Sequence, residues 1–391
     1  MLGAGFIGRF YADSILGYRN RDRIVMVHSR QEESCTSFAQ KYHTPYWSTH
    51  LEEAIAHPEV DTVIIALPNH LHEEAVRQCI HHRKPVLCTK PLGRNAEEAY
   101  RILCAVEASG LFHGYLEDLV YTPKFLRSQH VIQSGALGRI LWAKSREAHP
   151  GPHSEWFWNK ELADGGAIID LACHCIEVSR SYIGKDIRPL EVMCWADTQV
   201  KPIDAEDHAI GLVKYENGAI GQFEVSWTFR GGLDLRDEVM GSEGTIWSNG
   251  FMRTGLDIFT SGQQSGYMAE KSEANQGWTF PAGDELSELG YNHMFADMFN
   301  ALDQGREPKE TFYDGYLVNA VMDAAYASVK SKQWEPVRLE TWRGKEHLAS
   351  DTILTSYDDQ HWLIKEETTH YGAQKLILKE KATGRIFERI L

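Results

Sequence analysis

Six residues near the start, Gly3-Ala4-Gly5-Phe6-Ile7-Gly8, have the GxGxxG spacing of a turn that cradles a pyrophosphate. Each glycine has its own task. The first makes the tight turn, the second lets backbone approach the anion, and the third lets the next helix pack closely on its strand. The helix N-terminus then offers unbonded N–H groups to the phosphates. A ribose-reading residue belongs about twenty residues further on, at the end of the following strand. His28-Ser29-Arg30 stands there, just after the strand-like Ile24–Val27. A carboxylate at that point would hold the ribose hydroxyls of NAD, whereas Ser29 and Arg30 can accept the 2′-phosphate of NADP. The cofactor is therefore read as NAD or NADP, with a slight lean to NADP.

The elements around this turn have a βαβ rhythm. Ile24–Val27, Val60–Leu67 and Pro85–Cys88 are short apolar runs, separated by helically spaced stretches such as Leu51–Ala56 and His72–Cys79. That alternation implies a parallel sheet with helices on both faces. Only Met1 and Leu2 precede the first glycine, where a central strand should stand. Losing such a strand would cost several kcal/mol out of a typical total of about 5–15, so the reading expects a start further upstream.

The pattern changes after about residue 140. Gly221, Phe223, Val225, Trp227 and Phe229 alternate with Gln222, Glu224, Ser226 and Thr228, a period of two behind the turn residues Glu216-Asn217-Gly218. One face of this second sheet is thus apolar and the other polar, an open sheet whose flat face suits a second copy of the chain. The Gly-rich stretch from about 250 to 284 reads as loop. Met294, Met298 and Leu302 mark one amphipathic helix, and Leu317, Val321, Ala325 and Val329 another. Lys375–Glu380 and Ile386–Ile390 flank Ala382-Thr383-Gly384, a small hairpin in a C-terminal appendix.

The fold class expected is an α/β Rossmann domain plus an α+β domain with an open, mainly antiparallel sheet. The expected boundaries are 1–118 for the dinucleotide-binding domain, 119–343 for the substrate and oligomerisation domain, and 344–391 for a β-rich extension. A formal charge of −15 argues against nucleic-acid binding, which needs a basic face. No apolar stretch is long enough to span a bilayer. Seven scattered cysteines, an odd number, make no disulfide framework and suit a reducing, cytoplasmic compartment. Cys173-His174-Cys175 has poor ligand spacing for zinc, so no metal is expected.

Four further motifs follow in order: Ala66-Leu67-Pro68-Asn69-His70-Leu71-His72, Val86-Leu87-Cys88-Thr89-Lys90-Pro91-Leu92, Gly165-Gly166-Ala167-Ile168-Ile169-Asp170-Leu171, and His174. Together with the glycine turn they resemble the Gfo/Idh/MocA family of oxidoreductases, over about residues 1–340. The resemblance implies cofactor contacts from Gly3, Gly5, Phe6, Ile7, Gly8, Ser29, Arg30, Leu67, Pro68, Asn69, His72 and Lys90. It also implies a lysine beside the nicotinamide from a Glu-Lys-Pro triplet. Here that triplet is Thr89-Lys90-Pro91, so the lysine carries over and the acid does not, which puts the lysine's orientation in doubt. In the family the proline often follows a cis bond.

The family's Asp-x-x-x-His is matched by Asp170 and His174, a spacing that puts both on one face of a helix. Taking a hydride from a carbinol needs a base for the hydroxyl proton, and histidine suits that near neutral pH. His174 is therefore assigned as acid/base, Lys90 as the group polarising the oxygen, and Asp170 as a ligand of a neighbouring hydroxyl or an orienting group.

Trp rings stack on sugar faces, and His or Glu can bind hydroxyls. The loop His149–Trp158 offers both, with His153 and Trp156 as substrate contacts beside Lys90, Glu117, Asp170 and His174. Tyr115, Asp118 and Tyr121-Thr122-Pro123 are weaker candidates. The implied activity is hydride transfer between a sugar or glycoside carbinol and nicotinamide. An NAD-dependent glycosidase working by transient oxidation and elimination, or a non-catalytic sugar or nucleotide sensor, are the competing readings.

Overall fold

The computed structural model describes residues 1–250, 258–260, 277–279, 283–346 and 354–391, with only the backbone of Glu161 and of residues 258–260 and 277–279. Its first layer is the parallel sheet that the apolar runs imply. Strands β1 (Met26–His28) and β2 (Tyr46–Ser48) pair with each other, and β3 (Val63–Ile65), β4 (Val86–Thr89) and β5 (His113–Leu116) form a second parallel set. Leu2 lies between the sets, bridging in parallel to His28 and to Ile65. The Gly3 N–H donates to the His28 carbonyl (2.9 Å) and the Ala66 N–H to the Leu2 carbonyl (2.7 Å). Met1 bonds to Met26 and His28 as well, so Met1 to Gly3 form a short extended run that joins the sheet across its centre.

Every residue of β1, β3 and β4 is buried, the burial expected of a sheet covered on both faces. The connections are α1 (Phe6–Tyr18), α2 (Glu32–Tyr42), α3 (Leu51–Ala56), α4 (His72–His81) and α5 (Ala96–Ser109). Strands are shorter than their apolar runs, since Val60 and Leu67 lie outside β3.

After α6 (Pro123–Gln133) comes a seven-stranded sheet in the order β11-β10-β6-β9-β8-β7-β14. Its strands are β6 (Ile140–Ala148), β7 (Pro189–Asp197), β8 (His208–Tyr215), β9 (Ile220–Ser226), β10 (Asp234–Gly241), β11 (Thr245–Asn249) and β14 (Glu335–Pro336). Of its pairings only β6–β9 is parallel. The period-two expectation holds from Gly221 to Val225, where Gly221, Phe223 and Val225 are buried and Gln222 and Glu224 half-exposed. It fails beyond: β9 ends at a buried Ser226, and Phe229 is half-exposed. The Glu216-Asn217-Gly218 turn closes the β8–β9 hairpin, with the Tyr215 N–H donating to the Ala219 carbonyl (2.9 Å).

Helices α8 (Cys173–Ile183) and α11 (Phe312–Ser331) pack on the inner face, reached by way of the short α7 (Lys160–Ala163). On the outer face Trp142, Trp195, Ile210, Met240 and Trp247 are exposed. Met294 and Met298 of α10 (Tyr291–Gln304), and Leu317, Val321 and Ala325 of α11, are buried. Leu302 and Val329 are only partly so. Because α11 also packs against α5 and β5, both layers belong to one compact unit, Met1–His347.

Most of the stretch from 250 to 284 that reads as loop lies outside the described residues. Two described pieces correct that reading, because β12 (Ile258–Thr260) and β13 (Gly277–Thr279) pair as antiparallel strands. A short α9 (Glu285–Glu288) follows. The second compact unit, Leu348–Leu391, holds an antiparallel sheet of β15 (His361–Thr368), β16 (Gln374–Glu380) and β17 (Ile386–Ile390). The hairpin expected there is its β16–β17 pair, with a third strand that the sequence did not suggest. Among the described residues no helix is long and apolar enough to cross a membrane.

Candidate active site

A cleft of about 370 Å³ runs from the glycine turn to the start of α8. Its lining takes in Gly3, Gly5, Phe6, Ile7, Ser29, Arg30, Leu67, Pro68 and Asn69 together with Lys90, Asp170, His174, His153 and Trp156. Three residues expected at the site do not line the cleft: Gly8, His72 and Glu117.

Steric distances sort the three glycines. Gly3 has φ +110°, and a Cβ there would lie 2.1 Å from the Ala66 carbonyl oxygen. A Cβ on Gly8 would lie 2.1 Å from the Gly3 oxygen, so Gly8 serves the packing of α1 on the turn rather than cofactor contact. A Cβ on Gly5 would meet nothing within 4 Å, which leaves backbone open to an approaching phosphate. Gly5 is the N-cap of α1 and no side chain caps the helix, so its first N–H groups stay available to an anion. These residues fit a dinucleotide. Gly8→Ala should destabilise the fold by about 1–3 kcal/mol, visible as a lower melting temperature. Gly5→Ala should leave that temperature unchanged and weaken NADH binding, a contrast that melts with and without NADH would read.

His72 is fully buried. Its Nδ1 faces the carbonyls of Pro91 (3.1 Å) and Leu92 (3.2 Å), and its Nε2 that of Leu67 (2.9 Å). It ties together the two loops flanking the cleft, and burial holds its pKa below the usual imidazole value. Expecting it on the cofactor was wrong because its ring is spent on backbone.

The Lys90–Pro91 peptide bond is cis. The Lys90 Nζ donates to the Asp170 carbonyl (2.7 Å) and to Asp170 Oδ1 (2.9 Å), and Asp170 Oδ2 accepts from Trp227 Nε1 (3.0 Å). The orientation put in doubt by the missing acid is thus supplied from the far layer. Burial is the largest influence and opposes the lysine's charge, but Asp170, Cys173 and Glu147 together outweigh it and the pKa stands above the ordinary lysine value. Thr89 meanwhile shares a hydrogen bond with the buried Tyr11 hydroxyl (2.8 Å). Thr89→Val should therefore cost about 1–3 kcal/mol of stability, the cost of an unsatisfied hydroxyl, with kcat reduced only a few fold. Melting and steady-state assays on one preparation would show whether the two effects separate.

Asp170 lies in a π-helical turn, Ile168–Ala172, that leads into α8 at Cys173. Asp170 and His174 both face the cleft, but the histidine's partner is not the aspartate. His174 Nδ1 lies 2.6 Å from Glu117 Oε1, and the Glu117 side chain is fully buried. Glu117 is therefore a positioning residue behind the imidazole, not a substrate contact. Burial, reinforced by the Lys90 cation, pushes His174 down to about 4. Burial raises Glu117 to about 8 against the pull of Lys90. The direction is clear: the pair resists a net positive charge on the ring.

The glycines before Asp170 are fixed by contact. A Cβ on Gly165 would lie 2.0 Å from the Tyr326 hydroxyl, and one on Gly166 2.0 Å from the Glu206 carbonyl. Glu206 Oε1 accepts from the Gly166 and Ile168 N–H groups and from Tyr326.

His153 packs against Phe6 with ring centroids 5.1 Å apart, and Trp156 stacks on Phe157 at 3.8 Å, both on the cleft wall. The weaker candidates divide. Asp118 lines the cleft, whereas Tyr115 is core, Tyr121 donates to Asp297, and Thr122 caps α6 with Pro123 in its first turn. Tyr11, Glu147, His149 and Tyr291 also line the cleft and were not assigned from sequence. For Glu147 a signal existed: it is a charged residue on the inward register of an alternating strand.

Residues 1–114 match a family model described as an oxidoreductase family with an NAD-binding Rossmann fold, and residues 125–247 match the GFO/IDH/MocA C-terminal domain. Levoglucosan dehydrogenase of Pseudarthrobacter phenanthrenivorans is 26% identical over 389 residues, spanning 86% of this chain and 97% of its own. Inositol 2-dehydrogenase of Acidothermus cellulolyticus is 25% identical over 334 residues, 85% of this chain and 92% of its own. Among solved structures, GenD2 from gentamicin A biosynthesis in complex with NAD superposes with a TM-score of 0.81 at 30% identity, over 86% of this chain and 95% of that one.

Proposed function

The chain belongs to the Gfo/Idh/MocA oxidoreductases with their NAD-binding Rossmann fold, and from that premise we propose that it is an NAD-dependent dehydrogenase oxidising a hydroxyl of a sugar or sugar-like substrate. The carrying observation is the meeting of Lys90 and His174, from distant parts of the chain, in one cleft with the glycine turn. Relatives named for levoglucosan and inositol support the substrate class.

Gly3, Gly5, the first turn of α1, Ser29, Arg30 and Leu67–Asn69 would hold the dinucleotide. NAD, when bound, supplies the acceptor for a hydride from the carbinol carbon. The chain's own work is on the proton and the oxygen. Lys90 spends two of its three N–H donors on Asp170 and keeps one for the substrate oxygen. Once Glu117 ionises, its carboxylate accepts the Nδ1 proton and His174 presents Nε2 as the lone pair that takes the hydroxyl proton. Asp170 and Glu117 keep these two groups aimed. His153 and Trp156 serve as walls for the sugar ring. Ser29 and Arg30 would also suit the phosphate of NADP.

Residues 1–118 are read as the dinucleotide part, 119–343 as the substrate part and 344–391 as an extension. The exposed Trp142, Trp195 and Trp247 on the outer face of the large sheet support a homo-oligomer through that face. Seven free thiols accord with a reducing, cytoplasmic compartment. The test is absorbance at 340 nm with NAD or NADP across a panel of cyclitols, anhydrosugars and methyl glycosides. Net reduction with at least one of them is expected. Aglycone release without reduced coenzyme would overturn the assignment.

A further inference from the structure

The cleft holds more acid than the oxidation uses. Lys90 is balanced by Asp170, yet Asp118 and Glu147 line the same wall. Glu147 is 7% exposed, on the inward register of β6, and its Oε2 is buried with no hydrogen-bond partner in the protein. Leaving such an atom unsatisfied is costly. An ordered water or a group of the bound ligand is the remaining source of a donor, and Glu147 lines the cleft where the ligand must sit.

Its chemistry follows from the charges. A hydroxyl would satisfy one lone pair of Glu147 but would not offset two extra carboxylates in a shielded site. An ammonium does both. Resting on the dehydrogenase reading, we infer that the substrate carries an amino group received by Glu147 with Asp118 nearby, so that it is an amino sugar or aminocyclitol rather than a neutral sugar. Two titrations accord with the placement. Burial, opposed by Lys90 and reinforced by Asp170 and Asp118, lifts the Glu147 carboxyl far above its usual range. Burial likewise takes Asp118 up to about 7. A ligand cation would reverse these shifts, so its binding releases protons.

The experiment pairs methyl glucosides bearing an amine at C2, C3, C4 or C6 with their hydroxyl counterparts and N-acetyl derivatives, all assayed with NAD. At least one amine should exceed its hydroxyl partner in kcat/KM by about 10-fold or more, the scale of one charge-assisted bond, and acetylation should remove the advantage. In Glu147→Gln the amine-to-hydroxyl ratio should fall to near one. If that variant turns over neither, calorimetry of its NADH complex with the two glycosides reads the same ratio as binding. Hydroxyl substrates equal to or better than every amine would overturn the inference while leaving the dehydrogenase reading intact. So would a Glu147→Gln enzyme that keeps the ratio but weakens NAD⁺ against NADH, since the carboxylate would then be serving the nicotinamide cation. Failure of every sugar to reduce NAD would overturn both.

Discussion

Replacing Lys90 by methionine should lower kcat/KM by about 10³-fold, a loss in the range for removing a positioned electrostatic or acid–base group. The side chain is 18% exposed and remains charged because Asp170 sits 2.9 Å away. It is thus a preorganised cation in a shielded cleft, where a charge acting on a developing alkoxide is worth far more than in water. The deficit should fall mainly on kcat, because the interaction strengthens as the oxygen gains charge. Methionine fills the same volume and Trp227 still donates to Asp170, but the buried carboxylate loses its cation. About 3–5 kcal/mol of stability should therefore go, and the melting temperature must be read beside kcat. Lys90→Arg should recover little, because a planar guanidinium does not place one donor where the ammonium does. A Lys90→Met enzyme with kcat within threefold of wild type would remove the lysine from the mechanism.

The second large effect concerns His174 and is read best as a pH profile. His174→Ala should cost about 10²–10⁴-fold in kcat, the usual worth of a general base. In the wild type the imidazole is a base only while Glu117 is ionised and accepts the Nδ1 proton. Glu117 titrates at about 8, so kcat/KM for oxidation should rise with pH to about 8 and then level off. In Glu117→Gln the amide oxygen still accepts from Nδ1, but no carboxyl remains to protonate. The acid limb should then move down by several units toward the about 4 of His174 itself. The plateau should fall by roughly 10²-fold or more, because the imidazolium formed in the reaction loses its counter-charge. A profile unchanged by Glu117→Gln would show that the pair is merely structural.

These two residues also show how far the sequence could be read. Lys90, Asp170 and His174 were legible because each lies in a short motif with a chemical reason for its spacing, as the glycine turn does. Their partners were not. Glu117 lies 57 residues from His174, and Trp227 lies 57 from Asp170; nothing local links them. Pairing across layers depends on how α8 seats against β5 and β9, which is tertiary information. His72 misled for the opposite reason: it sits inside a cofactor motif, while its ring is used on three backbone carbonyls.

The same division holds for the fold. Apolar runs of four to eight residues located β1, β3 and β4 but not β2 or β5, whose Tyr46–Ser48 and His113–Leu116 are not continuous apolar runs, and alternation located most of β9. Their ends were less readable, because burial extends past hydrogen bonding: Val60 is buried yet outside β3. The contribution of Met1 to Gly3 at the centre of the first sheet was also beyond pattern reading, since so short a run has no period. Asp170 and His174 were expected on one regular helix, and a π-turn intervenes.

The most direct measurement is a crystal structure of the protein with NADH. The expected result places the pyrophosphate against the Gly3–Gly5 turn and the first N–H groups of α1. The nicotinamide should lie beside Lys90 and His174, with space for a carbinol carbon at about 3–3.5 Å from its C4, the separation of reacting atoms. A pyrophosphate bound elsewhere, or a nicotinamide turned away from both side chains, would contradict the catalytic assignment.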